Sequence, residues 1–314
     1  MRTLFFGAGP VGSTYAHLLH QAGKDVTVLA RGERHEWLRQ NGLVLVNELT
    51  GEKEVSAVKV VNELKSDDTY NLVVVLVRRN KLSPVFEILA VAPRVENVLF
   101  MGNNALGFDE YLRHLPPEKL LFGFPGAGGG IREQVVHYAD REKPKEKRRA
   151  LTIGEIDGQI RERTLAVKSL FESADVPVDL TSDIDGWLKY HVALILPLVC
   201  ALYKHNCHSY KLARDKEMLR ALVRAAKEGG RVLRALGYRK RQSFEFNLLY
   251  WLPEFTSVLA VQQLLESKFA EVAFAMHAKA ARDEMEDLAR EFQELIGKAS
   301  VDTPNLDSLS SFIA

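Results

Sequence analysis

Leu4-Phe5-Phe6-Gly7-Ala8-Gly9-Pro10-Val11-Gly12 begins the ordered reading of this chain, and these residues decide its fold. An apolar strand that runs straight into Gly-x-Gly-x-x-Gly and then into a helix is the arrangement that seats the pyrophosphate of a dinucleotide. Gly7 permits the tight turn, Gly9 lets the backbone approach phosphate oxygens, and Gly12 lets the helix lie close to the sheet. Pro10 suits the first helical position, where no N–H is needed. The helix start at Pro10-Val11-Gly12 then offers free N–H groups and a partial positive charge to an anion.

The residues that follow complete the unit. Ser13 to Ala22 carries Tyr15, Leu18 and Leu19 on one helical stripe, Gly23 closes the helix, and Asp25 to Ala30 is a β-branched strand. Strand, helix and strand fit within about 30 residues, the length such a unit needs. At the tip of the second strand the sequence reads Ala30-Arg31-Gly32-Glu33-Arg34. Guanidinium groups there suit a 2′-phosphate, and Glu33 lies past the tip, facing water or Arg34. The reading is therefore NADP(H), with Gly7, Gly9, Pro10, Val11, Gly12 and Arg31 as its contacts.

At 314 residues, with 46% hydrophobic and 26% charged residues, the chain has the composition of a two-domain globular protein. Its 42 basic and 41 acidic residues make no field that gathers nucleic acid or anionic lipid. The densest basic stretch, Arg141 to Arg149, is interrupted by Glu142, Pro144 and Glu146 and reads as a solvated hairpin loop. Two cysteines, Cys200 and Cys207, make neither a disulfide framework nor a metal pattern. The longest apolar run, Val192 to Tyr203, contains Pro197 and is short for a bilayer span. No signal peptide is read at the N-terminus, and the expected location is cytoplasmic.

Further strands are expected at Val58–Val61, Asn71–Val77, Val98–Met101, Leu120–Gly123, Leu151–Glu155 and Val176–Leu180, with a helix near Arg163–Ser173. Gly126 to Ile131 is a second glycine-rich turn, read as a backbone constraint. From about residue 182 the segments Ile184–Tyr203, Lys216–Leu236, Phe255–Ala281 and Glu284–Gly297 are long and helical. The fold class is thus α/β: a Rossmann-type nucleotide-binding domain over 1–181, then an all-helical domain over 182–314 that binds substrate. That helical part has apolar surface enough for a homodimer.

An ordered series of landmarks resembles the ketopantoate reductase (2-dehydropantoate 2-reductase) family: Gly7–Gly12, Arg31-Gly32, Asn71–Val77 followed by Arg78, Asn103-Asn104-Ala105-Leu106-Gly107, Thr152-Ile153-Gly154-Glu155, Trp187-Leu188-Lys189, Asp283-Glu284-Met285-Glu286 and Val301-Asp302-Thr303-Pro304. The resemblance implies reduction of a 2-oxo acid by NADPH. It implies Lys189 as general acid to the forming alkoxide, Asn104 near nicotinamide and substrate, and Glu284 bonding the substrate. Arg78 stands where the family usually has Lys and keeps positive charge near the cofactor. The sequence also departs from the family pattern: Ala193, Leu196 and Val272 occupy positions that are usually Asn, Asn and Ser, and Pro197 comes one residue early. A site built to bond a polar substrate rejects one that leaves its bonds unmade, so ketopantoate fits poorly.

With Ala193 and Leu196 on its helical face, Lys189 reads as a lone cation in apolar surroundings, where desolvation lowers its pKa. His277 shares the face of Glu284 if the helix between them is continuous, and reads as structural. Tyr250, Trp251 and Phe255 read as core, interface or one wall of a pocket. Two other functions stay open from the sequence: a reductase of another ketone or an imine, and an inactive NADP(H)-binding sensor.

Overall fold

The glycine turn joins β1 (Thr3–Phe6) to α1 (Pro10–Gln21), and α1 returns the chain to β2 (Val26–Leu29). The computed structural model describes residues 1–139, 149–239 and 249–313. After α2 (Gly32–Asn41) come β3 (Leu43–Asn47), β4 (Lys53–Ser56) and β5 (Lys59–Val61). β6 (Tyr70–Val75), α3 (Ser83–Ala90), β7 (Val95–Met101), α4 (Asp109–His114) and β8 (Leu120–Phe124) follow. β9 (Gly129–Arg132), β10 (Val135–Tyr138), β11 (Leu151–Gly154), α5 (Glu162–Glu172) and β12 (Val178–Leu180) complete the α/β part.

Eight strands form one sheet in the order β12-β11-β8-β7-β6-β1-β2-β5. Its pairs are parallel except β8 with β11, which run antiparallel. From β5 the chain crosses back over β2 and β1 to β6, so the strand order reverses beside β1. In open α/β sheets ligands bind outside the carboxyl ends of the strands at such a reversal. The unbroken apolar runs of β1 and β6 are what a strand covered on both faces requires; Leu4, Phe5, Leu72, Val73 and Val74 are fully buried.

A second sheet, β4-β3-β10-β9, was not foreseen in the sequence. The second glycine-rich stretch enters it: Gly129 and Gly130 belong to β9, which turns through Glu133 and Gln134 (φ +47° and +66°) into β10. The Thr152–Glu155 landmark is structural. Buried Glu155 accepts hydrogen bonds from Arg163 Nε (2.9 Å) and Thr164 Oγ1 (2.6 Å) at the start of α5. Residues 141–148 of the basic stretch lie outside the described residues.

The chain divides into two units, Met1–Gly102 with Phe108–Ile184, and Asn103–Gly107 with Asp185–Ala314. The five residues Asn103–Gly107 therefore group with the helices, which a division at residue 181 misses. The second unit is built on α6 (Ile184–Lys204), α7 (Ser209–Arg214) and α8 (Lys216–Ala235), followed by Glu254–Leu265, Lys268–Ala280, Arg282–Ala299 and Pro304–Ser310. The helix expected over Phe255–Ala281 is broken: Ser267 Oγ accepts from Ala270 N–H (3.2 Å) and starts a new helix, which passes through a π-helical turn at Glu271–Ala275. Among the described residues α6 alone is long and apolar enough to cross a bilayer, longer than its central apolar run suggested, yet 78% of that window is buried.

Glu228 on α8 fixes the last helix. It is 3% exposed and accepts from Asn305 Nδ2 (2.6 Å) and from the Leu306 N–H (2.9 Å) in the first turn of Pro304–Ser310. Hydrogen bonds to a buried carboxylate contribute about 1.5–3 kcal/mol each. Glu228→Ala is expected to lower stability by about 3 kcal/mol and the melting temperature by roughly 5 °C or more, with Glu228→Gln losing less. A melting temperature unchanged by Glu228→Ala in circular dichroism would remove this role.

Candidate active site

In the α/β unit the glycine turn is shaped by close approach. Gly7 has φ +118°, and a Cβ on it would lie 2.8 Å from the Leu76 carbonyl oxygen. A Cβ on Gly12 would lie 2.3 Å from the Gly7 carbonyl oxygen, so no other residue fits there. Gly9 differs, since a Cβ on it would meet nothing within 4 Å. It is the N-cap of α1, with Pro10 at the first helical position and no side chain capping the helix start. An open backbone surface at an uncapped helix end is what a pyrophosphate needs. The turn fits a dinucleotide on these grounds.

The two arginines beyond β2 do different things. Arg31 is exposed and stacks over the Phe6 ring, 5.7 Å from its centroid. Arg34 turns back onto the glycine turn. Its guanidinium donates to the Ala8 carbonyl (3.3 Å), to Ser13 Oγ (3.4 Å) and to the Gln134 carbonyl (2.5 Å) at the β9–β10 turn. Burial lowers its pKa to about 10, still charged at neutral pH. Arg34 is thus a strut between the turn and the second sheet, and the pair of guanidiniums expected at the strand tip reduces to Arg31. Glu33 accepts from Gln134 Nε2 (3.2 Å) rather than facing Arg34. Arg78, exposed, caps the short 3₁₀ turn after β6, two residues past Leu76.

In the helical unit a polar cluster gathers on α6 and Asn103–Gly107. Lys189 is 2% exposed. Its ammonium is hydrogen-bonded and ion-paired to Asp185 one turn earlier, and lies 4.9 Å from the centroid of the Tyr238 ring. Tyr190 donates its hydroxyl to the Tyr238 carbonyl, which holds that ring in place. Gly107 (φ +88°) packs against the pair: a Cβ there would lie 3.3 Å from Asp185 Oδ1 and 3.5 Å from Lys189 Nζ. Buried Glu284, in the first turn of Arg282–Ala299, accepts from Asn103 Nδ2 at 3.5 Å.

Residues 3–145 match the family model for the ketopantoate reductase PanE/ApbA. No curated protein matches the chain in sequence. Solved structures share its fold over the full length. The 2-dehydropantoate 2-reductase of Geobacter metallireducens GS-15 is 18% identical with a TM-score of 0.79, covering 100% of this chain and 99% of that one. D-Mandelate dehydrogenase, solved with NADH and anilino(oxo)acetate, is 13% identical with a TM-score of 0.76, covering 100% and 97%. A dimeric ketopantoate reductase from Staphylococcus aureus is 16% identical with a TM-score of 0.69, covering 100% and 97%.

Several sequence expectations for this site change in the structure. Lys189 is not a lone cation, because Asp185 at i−4 reaches it from the turn opposite Ala193. Ala193, Leu196 and Val272 are core residues at 1%, 3% and 0% exposure. A Cβ on Gly229 of α8 would stand 2.9 Å from the Ala193 Cβ, so α6 and α8 are in close contact there. The Asn104 amide is engaged at both ends by its own turn, donating to the Gly107 carbonyl (2.8 Å) and accepting from the Gly107 N–H (2.9 Å). His277 does not share a continuous helix with Glu284, since Ala281 (φ −121°, ψ 32°) ends one helix and caps the next. Trp251 and Phe255 are 73% and 72% exposed, not core.

The sequence reading missed Asp185, Tyr238, Asn103 and Gly107 as members of the site. The Asp185–Lys189 spacing was a visible signal; Tyr238 comes from a distant part of the chain and had none. Gly107→Ala combines about 1 kcal/mol of left-handed strain with a methyl group against Lys189 Nζ. Reductase turnover is expected to fall by about 10²-fold with NADPH affinity unchanged in a fluorescence titration. Full turnover in this variant would show that the Gly107 approach does not position the ammonium.

Proposed function

We propose that this protein is an NADP(H)-dependent reductase that acts on a carbonyl carbon, with a 2-oxo acid as the first substrate class and Lys189 as proton donor. The buried, ion-paired Lys189 ammonium carries this reading. Charged lysines are seldom buried without a task or a partner, and this one has a partner that leaves its place beside Gly107 defined. A reduced nicotinamide bound at the glycine turn supplies the hydride. As the carbonyl oxygen gains negative charge, Lys189 stabilises it and transfers a proton to it, giving the alcohol. Asp185 and the Tyr238 ring hold the ammonium, Glu284 bonds the substrate, and Asn104 acts by closing the turn that brings Gly107 to Lys189.

On the cofactor side the proposed contacts are Gly7, Gly9, Pro10, Val11 and Gly12 for the pyrophosphate, Arg31 for the 2′-phosphate, and Arg78 as a nearby cation. Residues 1–181 form the nucleotide part and 182–314, joined by Asn103–Gly107, the substrate part. A second substrate reading, a ketone or imine without a carboxylate, is favoured by Asp185, whose charge beside Lys189 repels an incoming acid. The intact Lys189 cluster supports either reductase over an inactive sensor. We also propose a homodimer, by analogy with the dimeric Staphylococcus aureus relative, and a cytoplasmic location, which suits two free thiols, Cys200 and Cys207.

Two substitutions test the scheme. Lys189→Met is expected to lower kcat by roughly 10²–10⁴-fold with little change in NADPH affinity; undiminished turnover would remove the proposed acid. Arg31→Ala is expected to weaken NADPH binding at least tenfold, about 1.4 kcal/mol, and leave NADH binding as it was. An equal loss for both coenzymes would argue against a 2′-phosphate contact.

A further inference from the structure

Two consecutive asparagines follow β7, and the fold uses them differently. Both ends of the Asn104 amide are met by the Gly107 backbone. Asn103 is 8% exposed, and its Nδ2 donates to Glu284 Oε1. A carboxylate oxygen only accepts, so this bond sets the amide orientation, with nitrogen toward Glu284 and oxygen away from it. The Asn103 Oδ1 is buried, and no group among the described residues donates to it. Buried side-chain acceptors almost always have a donor, and one without it calls for a reason.

The surroundings supply that reason. Asn103 belongs to the short segment that brings Gly107 against Lys189 Nζ, and Glu284 lies beside it. One short segment, Asn103–Gly107, thus carries Gly107 against Lys189 Nζ, the proposed proton donor, and Asn103 against the Glu284 carboxylate, where Asn103 Oδ1 is a further acceptor. A substrate with acceptors alone leaves Asn103 Oδ1 unmet. One that carries a hydroxyl or an amine near its carbonyl meets it.

We infer that Asn103 is a specificity residue of this site: its Oδ1 accepts a hydrogen bond from an O–H or N–H group on the substrate's carbon chain, close to the reacting carbonyl. The inference rests on the reductase reading for the reaction, but its binding arm below does not require turnover.

The test uses matched pairs that differ by one hydroxyl: 4-hydroxy-2-butanone with 2-butanone, and 4-hydroxy-2-oxobutanoate with 2-oxobutanoate. NADPH oxidation gives kcat/KM for each, and calorimetric titration of the protein saturated with NADP⁺ gives affinities without catalysis. The native protein should favour the hydroxylated member of a pair by about tenfold or more. Asn103→Leu should bring that ratio close to one and leave the NADPH titration unchanged; both members of a pair lose turnover because Glu284 loses its Asn103 bond, so the ratio is the readout. Asn103→Ser, whose hydroxyl is uncharged and has both a donor for Glu284 and an acceptor lone pair, should keep part of the preference, and Asn103→Ala replaces the leucine variant should that one fail to fold.

A native protein that does not distinguish either pair, by turnover or by binding, overturns the inference. So does a ratio that survives Asn103→Leu, and so does a fall in NADPH affinity with the ratio intact, which would give the oxygen to the nicotinamide carboxamide. If no pair is reduced but the hydroxylated member binds more tightly through Asn103, the specificity role stands and the reductase reading falls.

Discussion

Gly12 lies so close to the Gly7 carbonyl that a single added carbon would stand 2.3 Å from its oxygen. That approach lays α1 against β1 and leaves its first N–H groups facing outward. The rest of the unit is arranged around the helix so placed. Tyr15 packs edge-on against Phe171 of α5 and receives the Gly126 N–H on its hydroxyl at 3.0 Å. His17, fully buried, pairs with Ser56 of β4 at 2.9 Å and so ties α1 to the second sheet. Arg34 closes the loop by bonding the Ala8 carbonyl within the turn itself. Contacts from both sheets thus hold the turn and its helix in place.

The helical unit follows a different logic, that of a charge kept inside. An ammonium out of water needs a partner of opposite sign and further polar contact. Lys189 has Asp185 one turn back, an aromatic face beside it, and nearby a glycine at φ +88°, a conformation other residues rarely adopt. The tyrosine supplying that face is held by the hydroxyl of Tyr190, the next residue after the lysine on α6. The site thus depends on one helix presenting adjacent residues to opposite tasks. Asn103–Gly107 joins this unit because its polar groups and its glycine find their partners there.

The likeness of this chain to solved structures is one of fold. The fold is shared with ketopantoate reductases and with D-mandelate dehydrogenase at identities of 13–18%. Ala193, Leu196 and Val272 are core residues. At residue 193 a small side chain permits the α6–α8 contact, which a larger one at Gly229 would also break. The buried polar side chains of the helical unit are instead Asn103, Asn104, Lys189 and Glu284 among others.

The sequence by itself determined the strand–turn–helix start, the succession of parallel strands and the helical second half. These rest on local geometry: glycine spacing, unbroken apolar runs and helical stripes constrain neighbours in the chain. It also singled out Lys189 and Glu284 through an ordered resemblance. Only the tertiary structure decided which atoms each residue meets. Arg34 left the strand tip for the glycine turn, Asn104 spent its amide on Gly107, and Asn103 came to Glu284 across 181 positions of sequence. Contacts of that kind depend on how remote elements pack, and no periodicity within a segment encodes them.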